Sequence, residues 1–160
     1  MSARKKSGNT ERYAGLPLSL LRHQNYIRMG AHAKVLLTDM RFQYNGFNNG
    51  NLEATWTTMQ KRGWRSKDTL NVAIQELLYY GFIVRTRKGK RLGGVHYPSL
   101  YALTCYSIQG TGKGYPVSPI ASDAWKETRE PYTRPERKRK KPQPRQPYRP
   151  TPVAVAAQAR

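Results

Sequence analysis

The sequence predicts an α+β fold, mainly helical: a winged helix-turn-helix with a three-helix core and a two-stranded β wing, followed by a disordered basic C-terminal tail. Three observations lead there. A capped, amphipathic stretch runs from Ser66 to Gly81. A shorter helical segment and a glycine turn stand directly before it, at 55–65. Directly after it, Phe82-Ile83-Val84 switches the chain to strand-formers, and Leu100–Tyr106 offers a partner across a basic, glycine-rich loop.

The 66–81 stretch carries the most local information. Ser66 is an N-cap, since its side-chain oxygen can accept from the free N–H groups of a first helical turn. Asp68 places a negative charge at the positive end of the helix dipole. Leu70, Ala73, Ile74, Leu77 and Leu78 recur at the spacing of one buried helical face. Gly81 stands where a helix takes a left-handed C′ residue.

Residues 1–12 are polar and include Arg4-Lys5-Lys6, so they are expected to form a flexible basic N-terminus. A groove-entering arm is the sharper alternative for them. The domain is expected over 13–106. It opens with a leucine-rich segment, Tyr13 to Ile27, forming a short turn of helix around Pro17. Ala31–Tyr44 is the first full helix, with Ala33, Leu36, Leu37, Met40 and Tyr44 on its inner face and Lys34, Asp39 and Arg41 away from it. Asn45-Gly46-Phe47-Asn48-Asn49-Gly50-Asn51 ends that helix as a tight connector, because Gly and Asn tolerate positive φ. Leu52 starts a short strand against the wing. Thr55–Arg62 is the first helix of the helix-turn-helix, capped by Thr55, with Trp56, Met59 and Trp64 inward and Gly63 at the turn.

Phe82–Arg87 and Leu100–Tyr106 form the wing strands, and Pro98 keeps the second from starting before Ser99. Lys88-Gly89-Lys90-Arg91-Leu92-Gly93-Gly94 is expected as a flexible basic loop at the tip. Residues 107–130 read as an irregular extension anchored by Trp125. From 131 to 160 the chain holds seven prolines and the run Arg137-Lys138-Arg139-Lys140-Lys141. Such sequence buries too little surface to fold, so this tail is expected to be disordered.

Charge narrows the partner. Lys and Arg number 29 against 9 Asp and Glu, a net +20. Only +8 of that lies in residues 126–160, so the domain itself is basic. That field favours nucleic acid or an anionic membrane. No apolar run approaches a membrane span, and no signal peptide is legible, which points to a cytoplasmic protein. Cys105 is the single cysteine, so no disulfide framework is expected.

Taken together, Leu16-Pro17, the Ala33…Leu36-Leu37 helix, Tyr44-Asn45-Gly46…Asn48-Asn49-Gly50, Arg62-Gly63-Trp64…Ser66…Thr69-Leu70, Glu76-Leu77…Gly81-Phe82-Ile83, Thr86-Arg87 and Leu100-Tyr101-Ala102-Leu103-Thr104 carry a resemblance. Residues 15–106 resemble winged helix-turn-helix DNA-binding proteins of bacteria, prophages and mobile elements. The Ser-x-x-Thr-Leu and Leu-x-x-x-Gly-Phe-Ile parts are widespread, and the Asn-Gly-x-Asn-Asn-Gly connector is more distinctive. The resemblance implies DNA binding in a bacterial, nucleoid-associated or phage setting, and does not extend to the basic tail.

The second helix of a helix-turn-helix lies in the major groove and meets base edges with its N-terminal residues. Here that surface is Arg65, Ser66, Lys67, Asp68, Asn71, Val72 and Gln75. Asn71 and Gln75 carry amides suited to adenine N6 and N7. Lys67 suits guanine or a phosphate. Asp68 serves the dipole, with cytosine N4 as the other partner its carboxylate suits. Lys61, Arg62 and Arg65 around the turn, and Arg85, Arg87, Lys88, Lys90 and Arg91 on the wing, are expected to meet phosphates, which position a protein without choosing a sequence.

No catalytic, metal or cofactor site is legible. Gly110-Thr111-Gly112-Lys113-Gly114 lacks the spacing of a phosphate-binding loop. His23, His32 and His96 are scattered with no cluster at ligand spacing. Cys105 reads as a small hydrophobe in the second wing strand. The expectation is a non-enzymatic, double-stranded DNA-binding protein, a transcriptional regulator or a replication-associated factor of a phage or plasmid. A homodimer partner or a replication or transcription protein would be its protein contacts, although no dimer helix is legible. The alternative is an adaptor or structural protein whose winged helix docks a protein while the tail holds nucleic acid without preference. RNA binding is weaker, since no RNP-type motif or KH-type GxxG is present.

Overall fold

A computed structural model describes residues 14–109 and 117–136. In chain order they form α1 (Leu18–Arg22), α2 (Gln24–Arg28), α3 (Ala31–Gln43), β1 (Leu52–Glu53), α4 (Trp56–Gln60), α5 (Lys67–Tyr79), β2 (Ile83–Arg87), β3 (Lys90–Leu92), β4 (Val95–Tyr97), β5 (Leu100–Leu103) and a 3₁₀ turn (Ala124–Lys126). The architecture is α+β, with five α-helices and small antiparallel sheets. No helix among the described residues is long and apolar enough to cross a membrane.

α3 and α5 pack against each other and carry the core. Leu36, Leu37 and Met40 from α3 are buried with Leu70, Ala73, Ile74 and Leu77 from α5. Side-chain caps set where α4 and α5 begin. Thr55 accepts from the Thr58 amide ahead of α4, and Ser66 accepts from the Thr69 amide ahead of α5. After α5, Gly81 takes φ +74°, and a Cβ there would meet the Ala124 carbonyl oxygen at 2.7 Å. Glycine is therefore required twice over, for the helix exit and for the approach of the 3₁₀ turn.

The main sheet has the order β1-β5-β2, all antiparallel. A bulge between Arg85 and Arg87 turns Thr86 inward, where its hydroxyl donates to the Gly50 carbonyl at 2.6 Å. The segment beyond β2 is more regular than the flexible tip expected from its glycines. β3 pairs with β4, with Leu92 opposite Val95. Gly93 and Gly94 both take positive φ, +56° and +79°, as a two-residue type I′ turn requires. Pro98 sits between the two ladders, where its missing N–H breaks no pair.

Other expectations are corrected by long-range contacts. The Tyr13–Ile27 segment is expected as one short turn of helix, but its described part forms two helices, α1 and α2, with His23 between them accepting from the Asn25 amide. Asp39, expected on the outer face of α3, is buried, because Arg62 Nε and Trp64 Nε1 donate to it at 2.6 and 2.9 Å. Arg41, expected there too, is half-buried and donates to the Gly15 carbonyl and the Tyr106 hydroxyl. Cys105 lies just beyond β5 rather than within it. The extension is anchored through Trp125, which is buried, stacks on Phe82 and receives Asn25 Nδ2 at its carbonyl.

Residues 131–136, expected within the tail, pack on the domain. Residues 127–136 form a strap along α5. Arg129 Nη1 donates to the Tyr79 carbonyl, the Tyr132 amide donates to the Tyr80 hydroxyl, and Arg134 reaches Asp68. Aromatic packing of Tyr132 on Tyr79 supplies what the proline-rich composition hides. Residues 1–13, 110–116 and 137–160 lie outside the described residues, and with them Arg4–Lys6, the glycine-rich 110–114 segment and the Arg137–Lys141 run.

Candidate nucleic-acid interface

α5 has two sides. Leu70, Ile74 and Leu77 face the core, and Asp68, Val72, Gln75 and Tyr79 fall opposite them at 3.6 residues per turn. Lys67, Asn71 and Gln75 are exposed, Asp68 and Val72 are half-buried, and Ser66 is engaged as the cap. Lys67 Nζ lies 5.7 Å from the Trp56 ring centroid, so the ring braces its ammonium beside the first turn.

The cations around the turn divide by environment. Lys61 and Arg65 are exposed. Arg62, although expected at a phosphate, is bound to Asp39 and lies over the Phe42 ring. It holds the turn in place. A hollow of about 260 Å³ opens there, lined by His32, Val35, Arg62, Gly63, Trp64, Arg65, Ser66 and Thr69.

The hairpin divides in the same way. Arg87 donates to the Pro98 carbonyl at 3.1 Å and is half-buried. Arg85 is half-buried beside Tyr101, with its Nε enclosed and without a hydrogen-bond partner among the described residues. These two arginines belong to the body of the hairpin. Lys88, Lys90 and Arg91 are exposed at its outer end. Lys90 and Arg91 are neighbours on a strand, so they point to opposite faces. Lys90 shares its face with Tyr97, Leu92 and Val95, whereas Arg91 stands opposite His96.

The strap brings to α5 a residue that sequence reasoning placed in a disordered tail. Arg134 Nη2 donates to both Asp68 oxygens, at 2.9 and 2.7 Å. Burial, with the Glu76 carboxylate adding to it, holds the Tyr132 phenol above its ordinary range. The only signal for the strap in the sequence is a tyrosine and two arginines among prolines.

His23 and Cys105 are both held by local packing. His23 is engaged with the Lys126 carbonyl and the Trp125 ring edge. Burial pushes the Cys105 thiol up to about 11, the opposite of what a nucleophile needs. No group of three or more potential metal ligands occurs among the described residues. No protein-family model, curated protein or solved structure matches the chain.

Proposed function

We propose that the protein binds double-stranded DNA as a winged helix, with α4 and α5 as the helix-turn-helix and the β2–β5 hairpin as the wing. The element order α3, β1, α4, α5, β2, β5 and the sheet order β1-β5-β2 support this reading. One observation carries it. A capped helix directly after a tight turn exposes Lys67, Asn71 and Gln75, flanked by exposed cations on the turn (Lys61, Arg65) and on the hairpin (Lys88, Lys90, Arg91). Amides on an α-helix that fits the major groove are base readers, and cations to either side meet the two phosphate backbones. The function is that of a transcriptional regulator or a replication-associated factor in a bacterial, phage or plasmid setting, and involves no cofactor or catalytic step.

The test is a random-duplex selection with the full chain at ~150 mM salt, where weak electrostatic binding is suppressed. An enriched motif that changes with Asn71→Ala or Gln75→Ala supports the reading. A folded protein that binds no duplex refutes it.

A second reading has its own observation. Val35 and Phe42, seven residues apart on α3, are 53% and 64% exposed and lie beside the turn before α5, Val35 lining the hollow there and Phe42 under Arg62. An adaptor would use that surface for a protein partner and leave nucleic acid to the basic tail. In that case removal of residues 137–160 abolishes nucleic-acid binding and substitutions in α5 do nothing to it.

A further inference from the structure

We infer that Arg134, supplied by the C-terminal strap and held by Asp68, is a guanine-reading side chain of the α5 surface. The inference rests on the DNA-binding reading and adds to it a residue outside the helix-turn-helix. Arg134 arrives 66 residues downstream of Asp68, and its guanidinium is docked on the first turn of α5. That first turn is the part of a groove-entering helix that meets base edges.

The geometry of the contact decides the role. Both hydrogen bonds to Asp68 leave from Nη2, and Nη1 and Nε of Arg134 have no hydrogen-bond partner among the described residues. A guanidinium has donors along more than one edge. Nη2 belongs to both two-donor edges of the guanidinium; one of its two N–H bonds can span both oxygens of the carboxylate, which leaves its other N–H and the neighbouring Nη1 as a two-donor edge for a ligand. Guanine presents two acceptors, N7 and O6, that a second guanidinium edge matches in bidentate fashion. A carboxylate that fixes an arginine in advance lowers the rotamer entropy lost on contact, which a loose tail arginine would lose in full. The arginine side chain is 47% accessible, so solvent and ligand reach it.

The strap is held independently of this pair. Arg129 donates to the Tyr79 carbonyl, the Tyr132 ring packs on Tyr79, and the Tyr132 amide donates to the Tyr80 hydroxyl. Those contacts fix the backbone two residues before Arg134. Asp68 then acts as a positioning residue for the arginine and does not itself need to touch cytosine. Asn71 and Gln75 remain exposed beside the pair for adenine. The surface so formed combines amides from the helix with a guanidinium from the strap.

The test compares random-duplex selections by the full chain at ~150 mM salt for the natural protein, Arg134→Ala, Arg134→Lys and Asp68→Asn, with circular dichroism verifying each fold. The natural protein is expected to enrich a site containing a guanine that Arg134→Ala no longer selects, with discrimination at that position falling by about 5- to 150-fold. Arg134→Lys, whose ammonium lacks the planar fork that Asp68 orients, recovers only part of it, and Asp68→Asn blurs the same position while the adenine positions persist. A motif unchanged by Arg134→Ala overturns the inference and leaves the DNA-binding reading standing. Weakening that is equal for all sequences also overturns it, since that marks a phosphate contact. No duplex binding by the folded natural protein overturns both.

Discussion

Asn49 pairs with Leu103 as a neighbouring strand residue would, accepting from the Leu103 amide at 2.7 Å and donating to the Leu103 carbonyl at 2.9 Å. The same Nδ2 also faces the Tyr106 and Ser107 carbonyls, and Asn49 is wholly buried. The asparagine-rich connector therefore closes the end of the β-sheet. Replacing Asn49 by Ala leaves a buried amide and carbonyls without partners, at about 1–3 kcal/mol for each group left unsatisfied. Urea unfolding is expected to show a loss of at least ~2 kcal/mol. A loss below ~0.5 kcal/mol would mean that water replaces the side chain and that the pairing is incidental.

Asp39 ties α3 to the turn before α5 through Arg62 and Trp64. Asp39→Asn removes the charge that answers Arg62, and charge-assisted hydrogen bonds contribute about 1.5–3 kcal/mol. Stability is expected to fall by that order. The fluorescence of Trp64 is expected to shift toward that of exposed indole, and an unchanged spectrum with unchanged urea midpoint would remove Asp39 from the account of the turn.

Trp125 fixes the extension, being buried with Phe82 stacked on it and His23 in T-shaped contact. Truncation to Ala is expected to cost about 3–5 kcal/mol, as for large aromatics in cores. It also frees the strap, so Tyr132 becomes accessible to iodination or to protease at 127–136. A destabilised protein whose strap stays protected would show that Arg129 and Tyr132 hold it without the tryptophan.

The hairpin variants separate two geometries. Lys90→Ala with Arg91→Ala is expected to weaken binding to all duplexes and lower the salt slope, since each phosphate contact contributes about 0.9 to it. Because the two side chains point to opposite faces, the single variants are expected to differ, one carrying most of the loss. Equal single effects would mean that the hairpin twists or straddles the backbone.

Burial of Cys105, Tyr44 and Tyr132 ties stability to alkaline pH. The Cys105 thiol is raised from 9.0 to about 11 by burial, and burial likewise raises the Tyr44 and Tyr132 phenols. In the unfolded chain these groups ionise earlier, so their contribution is fully present below pH ~9 and is lost as pH rises through the folded value, about 11 for Cys105. At pH 8 the buried thiol is held protonated, and reaction with a disulfide reagent is expected to be slow until the protein unfolds. Rapid labelling of folded protein at pH 8 would contradict this.

The sequence by itself determined the elements whose signals are local. The Ser66 cap, the apolar spacing from Leu70 to Leu77 and the Gly81 exit define α5 within one residue of what the structure holds. Thr55 and the strand-formers at 83–84 did the same for the starts of α4 and β2, but α4 ends at Gln60, before the expected Arg62, and the strand expected over Leu100–Tyr106 stops at Leu103. Only the tertiary structure decided the rest. Helical periodicity places Asp39 outside, because a count of apolar positions cannot include an arginine and a tryptophan from another segment. Gly93-Gly94 reads as flexible until the pairing of Leu92 with Val95 makes it a turn. Arg134 reads as tail charge until Tyr132 finds Tyr79 and Tyr80. Each of these placements depends on a partner far along the chain, where composition and spacing carry no information about distance.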